Sequence, residues 1–326
     1  MTLKTFLRHN PYIFTLGLLI ACVALNAYLQ SDARVGFFDP TAINGTLRNM
    51  MPMILLTVGQ AIVIIGGGVD LSAGTMVSVV NSILVTRIVA DSQTGDIVGA
   101  FAIAFVVALA MGAVNGFAVA FLRLQPIVTT YATSFIFTGV ALWVLPRPGG
   151  NIPRPLVDLY RNPQIAGIPT PVFIIVLVLL FWWMLRNTRY GQYLFATGGK
   201  ADAAYTTGVP VEWMRFSTYV LSAVFAFLAG ITLTLLTASG APNSGNDMTL
   251  NTIVAVVLGG TALSGGRGGI AGPMMGWACL LFISNIISFG NVSSWNQDLV
   301  KAFIIVVALA IPGITALART GIRTRG

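Results

Sequence analysis

The 326-residue chain is 56% hydrophobic and only 9% charged, with a mean hydropathy of +0.85 and a formal net charge of +8. Soluble domains carry about 25% charged residues, so this composition belongs to an integral membrane protein. The basic excess lies in short loops and at the C-terminus, without an aromatic-interleaved basic stripe, which argues against a nucleic-acid partner.

The leader carries Lys4, Arg8 and His9, the single histidine, so histidine-based metal or general-base chemistry has no place in the spans. The first apolar run, Tyr12–Leu29, is followed by no small-residue cleavage site and closes on Asn26, Tyr28 and Gln30. It reads as an uncleaved span rather than a removed signal peptide. Cys22 and Cys279 both sit inside apolar runs, which suits neither a disulfide framework nor a metal cluster.

Further runs of about 20 mostly apolar residues follow at Met50–Gly66, Leu71–Val89, Ile97–Phe121, Ile127–Leu145, Pro171–Leu185, Phe216–Thr237, Met248–Leu263, Ile270–Phe289 and Leu299–Leu317, ten spans in all. The expected fold is an all-α integral membrane protein of about ten transmembrane helices, residues 1–326 forming one membrane domain. Both termini are placed in the cytoplasm. The inner loops and tails then hold eleven Lys/Arg (Lys4, Arg8, Arg123, Arg186, Arg189, Lys200, Arg215, Arg267, Arg319, Arg323, Arg325). The outer loops hold six (Arg34, Arg48, Arg87, Arg147, Arg154, Arg161), the sense of the positive-inside rule. Two connections are long. Pro146–Thr170 reads as an ordered outer loop with a short interfacial helix, and Arg186–Arg215 as a polar, basic inner loop with a short helix at Ala201–Thr206.

The stretch V-G-Q-A-I-V-I-I-G-G-G-V-D-L-S-A-G (Val58–Gly74) holds Asp70, the only ionisable residue between Asn49 and Thr86. An intramembrane carboxylate is costly and marks a pathway, a partner or a sharp turn. Gly66, Gly67 and Gly68 permit the turn, and Asp70 and Ser72 can cap the helix that resumes. A tight inter-helix turn needs no function beyond packing. The alternative is a broken, re-entrant element exposing polar backbone to a substrate route. A second glycine-rich stretch, Leu258–Gly276, repeats the pattern: G-G-V-D-L-S (Gly67–Ser72) is echoed by G-G-T-A-L-S (Gly259–Ser264). Gly268, Gly272 and Gly276, like Gly112 and Gly116, recur every fourth residue, a helix-packing device.

No Walker A loop is present, since Gly199-Lys200 is followed by Ala201 and lacks the upstream glycine. An embedded enzyme is poorly served by a single Glu (Glu212) and no histidine within a span. Route chemistry falls to neutral polar groups inside spans, such as Gln60, Asn81, Asn115, Thr129, Thr130, Ser134, Asn251 and Asn285, each of which could equally be an interhelical hydrogen bond. So few intramembrane charges argue against an ion-coupled secondary transporter or a channel, which stands as the alternative reading.

The blocks Val58–Gly74, N-G-F-A-V-A-F-L-R-L-Q-P-I-V-T-T (Asn115–Thr130), A-T-G-G-K-A-D-A-A-Y-T-T-G-V-P-V (Ala196–Val211), Y-V-L-S-A (Tyr219–Ala223) and Ile253–Gly268 occur in order. Together they resemble the ribose/galactose/xylose/autoinducer-2 type permeases of bacterial ABC importers. The resemblance implies an inner-membrane permease subunit that pairs with a second permease, identical or paralogous. It also implies two cytoplasmic ATPase subunits, which use ATP and Mg, and a periplasmic sugar-binding protein; no cofactor is expected on this chain. The route or gate candidates are Gly67, Gly68, Asp70, Ser72, Asn115, Thr129 and Asn251. By position, the ATPase-docking loop (about 186–215) would present Gly199, Lys200, Ala203, Ala204 and Gly208. The sequence departs from the family at Val69, where Ile is usual, at Lys200, where Asn is usual, and at Asn251, where an acid is frequent.

Overall fold

The computed structural model describes residues 12–31, 36–161, 164–165 and 168–290, with isolated positions 293, 296–297, 299–300, 302–303 and 306 beyond them. Among these residues the order is α1 (Tyr12–Leu29), α2 (Pro40–Ile65), α3 (Ala73–Arg87), α4 (Thr94–Ala120), α5 (Pro126–Val144), α6 (Arg154–Arg161), a two-residue hairpin β1 (Gln164–Ile165) and β2 (Ile168–Pro169), α7 (Thr170–Arg186), α8 (Arg189–Gly199), α9 (Ala201–Thr206), α10 (Val211–Thr237), α11 (Met248–Leu258) and α12 (Ala271–Phe289). The expected span Leu299–Leu317 and the charges Lys4, Arg8, Arg319, Arg323 and Arg325 lie outside the described residues, apart from the isolated helical positions near 299–306.

Six of the described helices, α1, α2, α4, α5, α10 and α12, are long and apolar enough to cross a bilayer. They number seven if α7 and α8, bent by 79° at their junction, form one broken span. The helices in the third and eighth expected spans fall short of that length. α3 has 15 residues and α11 only 11, or about 23 and 17 Å at 1.5 Å per residue, against about 30 Å of hydrocarbon. The second is cut short where the Gly259–Gly260 turn takes over the chain.

Local signals set the ends. Asp39 accepts from the Thr41 N–H and hydroxyl at the start of α2, which holds its carboxyl below the usual range, and Pro40 needs no donor there. α2 and α11 end alike. Gly66 N–H bonds Ile62 O and Gly68 N–H bonds Val63 O across Gly67 at φ +84°; Gly259 N–H bonds Ala255 O and Thr261 N–H bonds Val256 O across Gly260 at φ +81°. The echo in the sequence is therefore a shared helix-ending geometry, in which a left-handed glycine lets the next N–H groups turn back onto the last carbonyls.

At the centre lie α2, buried without interruption from Met50 to Ile65, and α3, buried from Ala73 to Val85. α10 packs across α2, α3 and α4, α5 closes over α3, and α12 joins α1 to α11. α3 carries Ser78 and Asn81 on a buried edge that captures the segment between α10 and α11. Gly245 N–H donates to Ser78 Oγ at 2.9 Å, Ala241 N–H to Asn81 Oδ1 at 2.9 Å, and Asn81 Nδ2 to Thr234 Oγ1 at 2.8 Å. The outer faces of α4, α5 and α7 are apolar and exposed, a pattern that lipid or another membrane subunit tolerates and water does not.

Candidate functional site

The turn from Gly66 to Ser72 stands at the junction of α2, α3, α5 and α10. Asp70 is fully buried, and its Oδ1 accepts from Ser72 N–H at 2.9 Å and from Ser72 Oγ at 2.7 Å. Ser222 Oγ of α10 donates to Oδ2 at 3.3 Å. Asn115 Nδ2 of α4 donates to Ser72 Oγ at 2.7 Å, and Thr133 Oγ1 of α5 donates to Asn115 Oδ1 at 2.7 Å. Thr130 Oγ1 receives Leu71 N–H at 2.9 Å and lies 3.2 Å from Val69 O. One carboxylate is thus stabilised by hydroxyls and a backbone N–H, and three flanking helices are tied to one turn. A buried polar network of this kind fixes one geometry because any slip leaves a donor or acceptor unpaired.

One detail differs from the sequence reading. Ser72 occupies the N-cap of α3 without a side-chain capping bond, because its hydroxyl is directed to Asp70. Among the described residues no Lys or Arg pairs with Asp70, the sole ion pair there being Arg123–Glu212 at 3.8 Å.

The route candidates separate accordingly. Asp70, Ser72 and Asn115 are brought together in a closed cluster, and a Cβ on Gly68 would fall 2.5 Å from the Tyr219 hydroxyl, which covers it. Gly67, whose bare Cα faces Gly198, lines a cavity of about 650 Å³ where Arg123, Asp202, Tyr205, Glu212 and Arg215 stand among apolar residues such as Val119 and Leu124. Thr129 bonds Gln125 O in its own helix, and Asn251 bonds Asp247 O in the first turn of α11, so neither joins the cluster. Sequence reasoning passed over Thr133, Ser222 and Tyr219 as site residues. The available signal was Tyr219 and Ser222 three residues apart in an apolar span, which puts both on one helix face.

The segment after α7 meets the same turn. α8 ends at Gly198 and Gly199, and Gly198 lies where a Cβ would be 1.8 Å from Ile65 O and 2.7 Å from Gly266 N. Gly266 N–H itself donates to Ile65 O at 2.9 Å. Three backbones, 65–67, 198–199 and 265–266, are therefore in direct contact, an approach that only glycine at 198 allows. From this contact α9 projects beside a second cleft of about 650 Å³ lined by Gly199, Lys200, Ala203, Ala204, Ser264 and Arg267, among others. Ala203 is exposed and Ala204 is buried; Gly208, at φ +85°, turns the chain into α10.

Of the packing glycines, Gly112 and Gly116 sit where a Cβ would meet the α10 carbonyls of Tyr219 and Phe216 at 2.8 Å each. Gly272 and Gly276 stand against Gly259 O and Ala255 O of α11. Gly268 departs from the stripe: it precedes α12, in a turn at φ +130° against Thr261, so the four-residue spacing runs out of helix before reaching it.

Known proteins of the same kind match along nearly the whole chain. The ribose import permease protein RbsC of Escherichia coli (strain K12) is 34% identical over 316 residues, covering 94% of each chain. The protein of the same name from Bacillus subtilis (strain 168) is 31% identical over 305 residues, 91% of this chain and 90% of that one. A probable ABC transporter permease protein, YphD of Escherichia coli (strain K12), is 31% identical over 323 residues, 95% and 92% of the two chains. With residues 42–309 matching the family described as "Branched-chain amino acid transport system / permease component", and a glycine-broken helical core that fits a membrane subunit, this chain belongs to that family of transport permeases.

Proposed function

We propose that this protein is the permease subunit of a binding-protein-dependent ABC importer in the bacterial inner membrane, forming the route for a monosaccharide (a pentose or hexose) or a related small polar solute. The family description names branched-chain amino acids, whereas the ribose permeases of Escherichia coli and Bacillus subtilis match 94% and 91% of this chain. The sugar reading rests on those relatives rather than on the Asp70 cluster, which is closed and satisfied by its own donors.

The observation that carries the reading is the contact of Gly198 with Ile65 and Gly266. A load applied to α9 by a cytoplasmic partner passes without a flexible linker into both glycine turns, and through the 66–72 turn into α3, α4, α5 and α10. In this scheme the chain acts as a single ten-span domain with both termini inside, as the Lys/Arg distribution supports. It pairs with a second permease, identical or paralogous. ATPase subunits holding ATP and Mg dock on the 186–215 segment, and a loaded periplasmic binding protein docks outside near Pro146–Thr170. The chain carries no catalysis of its own. Asp70 holds the turn in shape rather than carrying a coupled proton.

The test is reconstitution with the partner ATPase and binding protein. Loaded binding protein and ATP should raise each other's affinity for the complex, since both favour one of two states. ATPase activity indifferent to loaded binding protein at every concentration, or uptake that stops when the ion gradient is collapsed while ATP stays high, overturns the assignment.

A further inference from the structure

We propose that the groove between α7 and α10 binds one anionic phospholipid, with an acyl chain lying along α10 and the phosphate at Arg48 and Arg161. The groove encloses about 580 Å³. Its α10 wall is the stripe Leu221, Val224, Leu228, Ile231 and Leu235, which runs about 21 Å at 1.5 Å per residue. The facing wall is Leu177 and Phe181 of α7, and Leu177 is 63% exposed, so the groove opens sideways toward the surface that the membrane covers.

Its end near Leu235 is closed by α6, where Leu159 and Tyr160 contribute to the lining. There the two arginines are fastened to the backbone. Arg48 Nη1 donates to Arg161 O, Arg161 Nη2 donates to Leu236 O at 2.5 Å, and the Tyr160 hydroxyl donates to Arg48 O at 3.0 Å. Burial pushes the Tyr160 phenol above its usual range, so it remains a neutral donor. Among the described residues no carboxylate lies within 4.0 Å of either guanidinium. Each guanidinium has five N–H groups, and the bonds made to carbonyls use few of them. Neither arginine lines the slot, but Tyr160, which does, bonds Arg48 O, and Arg161 bonds the carbonyl that follows the lining Leu235, so both cations flank this end. An apolar slot flanked at one end by two backbone-fixed cations has the chemistry of a phosphate on a hydrocarbon tail.

The volume lies within the roughly 300–1,000 Å³ of small-molecule sites, and the side that carries Leu177 opens onto the apolar surface where lipid tails lie.

The experiment uses the full chain purified in detergent. It is incubated with equal amounts of phosphatidylglycerol and phosphatidylcholine bearing the same acyl chains, and the retained lipid is measured by native mass spectrometry. Phosphatidylglycerol should exceed phosphatidylcholine by roughly thirtyfold, from two cations each adding to the attraction. The preference should fall to parity in the Arg48→Gln/Arg161→Gln double variant. Leu228→Trp, which fills the slot, should reduce retention of both lipids. Equal retention by the wild type overturns the proposal, as does a preference that survives the double variant or lipid binding untouched by Leu228→Trp. So does efficient disulfide cross-linking of Leu228→Cys between two copies, which would make the groove a protein interface. If the double variant fails to fold, the salt dependence of the wild-type preference decides: a preference that does not shrink as ionic strength rises is not electrostatic and removes the phosphate contact.

Discussion

Asn115 Nδ2 donates to Ser72 Oγ at 2.7 Å, and the Ser72 hydroxyl in turn donates to Asp70 Oδ1 at 2.7 Å, so the hydrogen-bond chain from Thr133 through Asn115 and Ser72 to Asp70 has one direction. Asn115→Asp removes the donor and sets a second acid beside the first. The variant should lose about 2 kcal/mol or more of stability, read as a lower thermal midpoint in detergent, together with transport. Thr133→Val keeps the shape and removes one bond, about 1 kcal/mol, and should retain most uptake. Equal stability of Asn115→Asp and wild type would break the assignment of this network.

Asp70→Asn preserves the volume and an acceptor for the Ser72 N–H. Transport should fall through gating or assembly, while the ranking of competing sugars in an uptake assay stays as in the wild type. A changed sugar preference would return Asp70 to the substrate path.

Neighbouring glycines 198 and 199 should behave oppositely. A Cβ at Gly198 would be 1.8 Å from Ile65 O, whereas at Gly199 the nearest atom is Gly266 Cα at 4.0 Å. Gly198→Ala forces three backbones apart, at a cost of about 1–3 kcal/mol or more. It should lower expression or uncouple ATP hydrolysis from uptake. Gly199→Ala should be close to silent in the same assays, and similar behaviour of the two would refute direct backbone coupling.

On α9, Ala203 is exposed while Ala204 is only 5% exposed. A docking test therefore belongs at Ala203, where a large side chain meets a partner before it meets this chain. Ala203→Arg should abolish co-purification with the ATPase and leave membrane insertion intact. Normal co-purification of the variant would place the docking surface elsewhere.

Much of the helical layout was legible because the signals are local. Apolar run length and flanking Pro, Gly and charge placed α1, α4, α5, α7 and α12 within a few residues, and the short α9 at its observed bounds. Span length was less legible at α3 and α11. An apolar run continues through Gly259–Leu263 in composition, while the left-handed Gly260 ends the helix before it.

By itself the sequence determined that the chain is a membrane protein, that its resemblance is to sugar permeases, and that Asp70 sits in a glycine-permitted turn. Only the tertiary structure decided what Asp70 touches. Its partners Ser222 and, through Asn115, Thr133 come from helices distant in sequence, and no periodicity in one helix encodes which face of another it will meet. The same holds for Gly198, whose need for a bare backbone arises from Ile65 and Gly266. The turn at Gly66–Ser72 is thereby resolved into two faces, a closed one gripping Asp70 and a second pressed against the end of α8, because close packing fixes both at once.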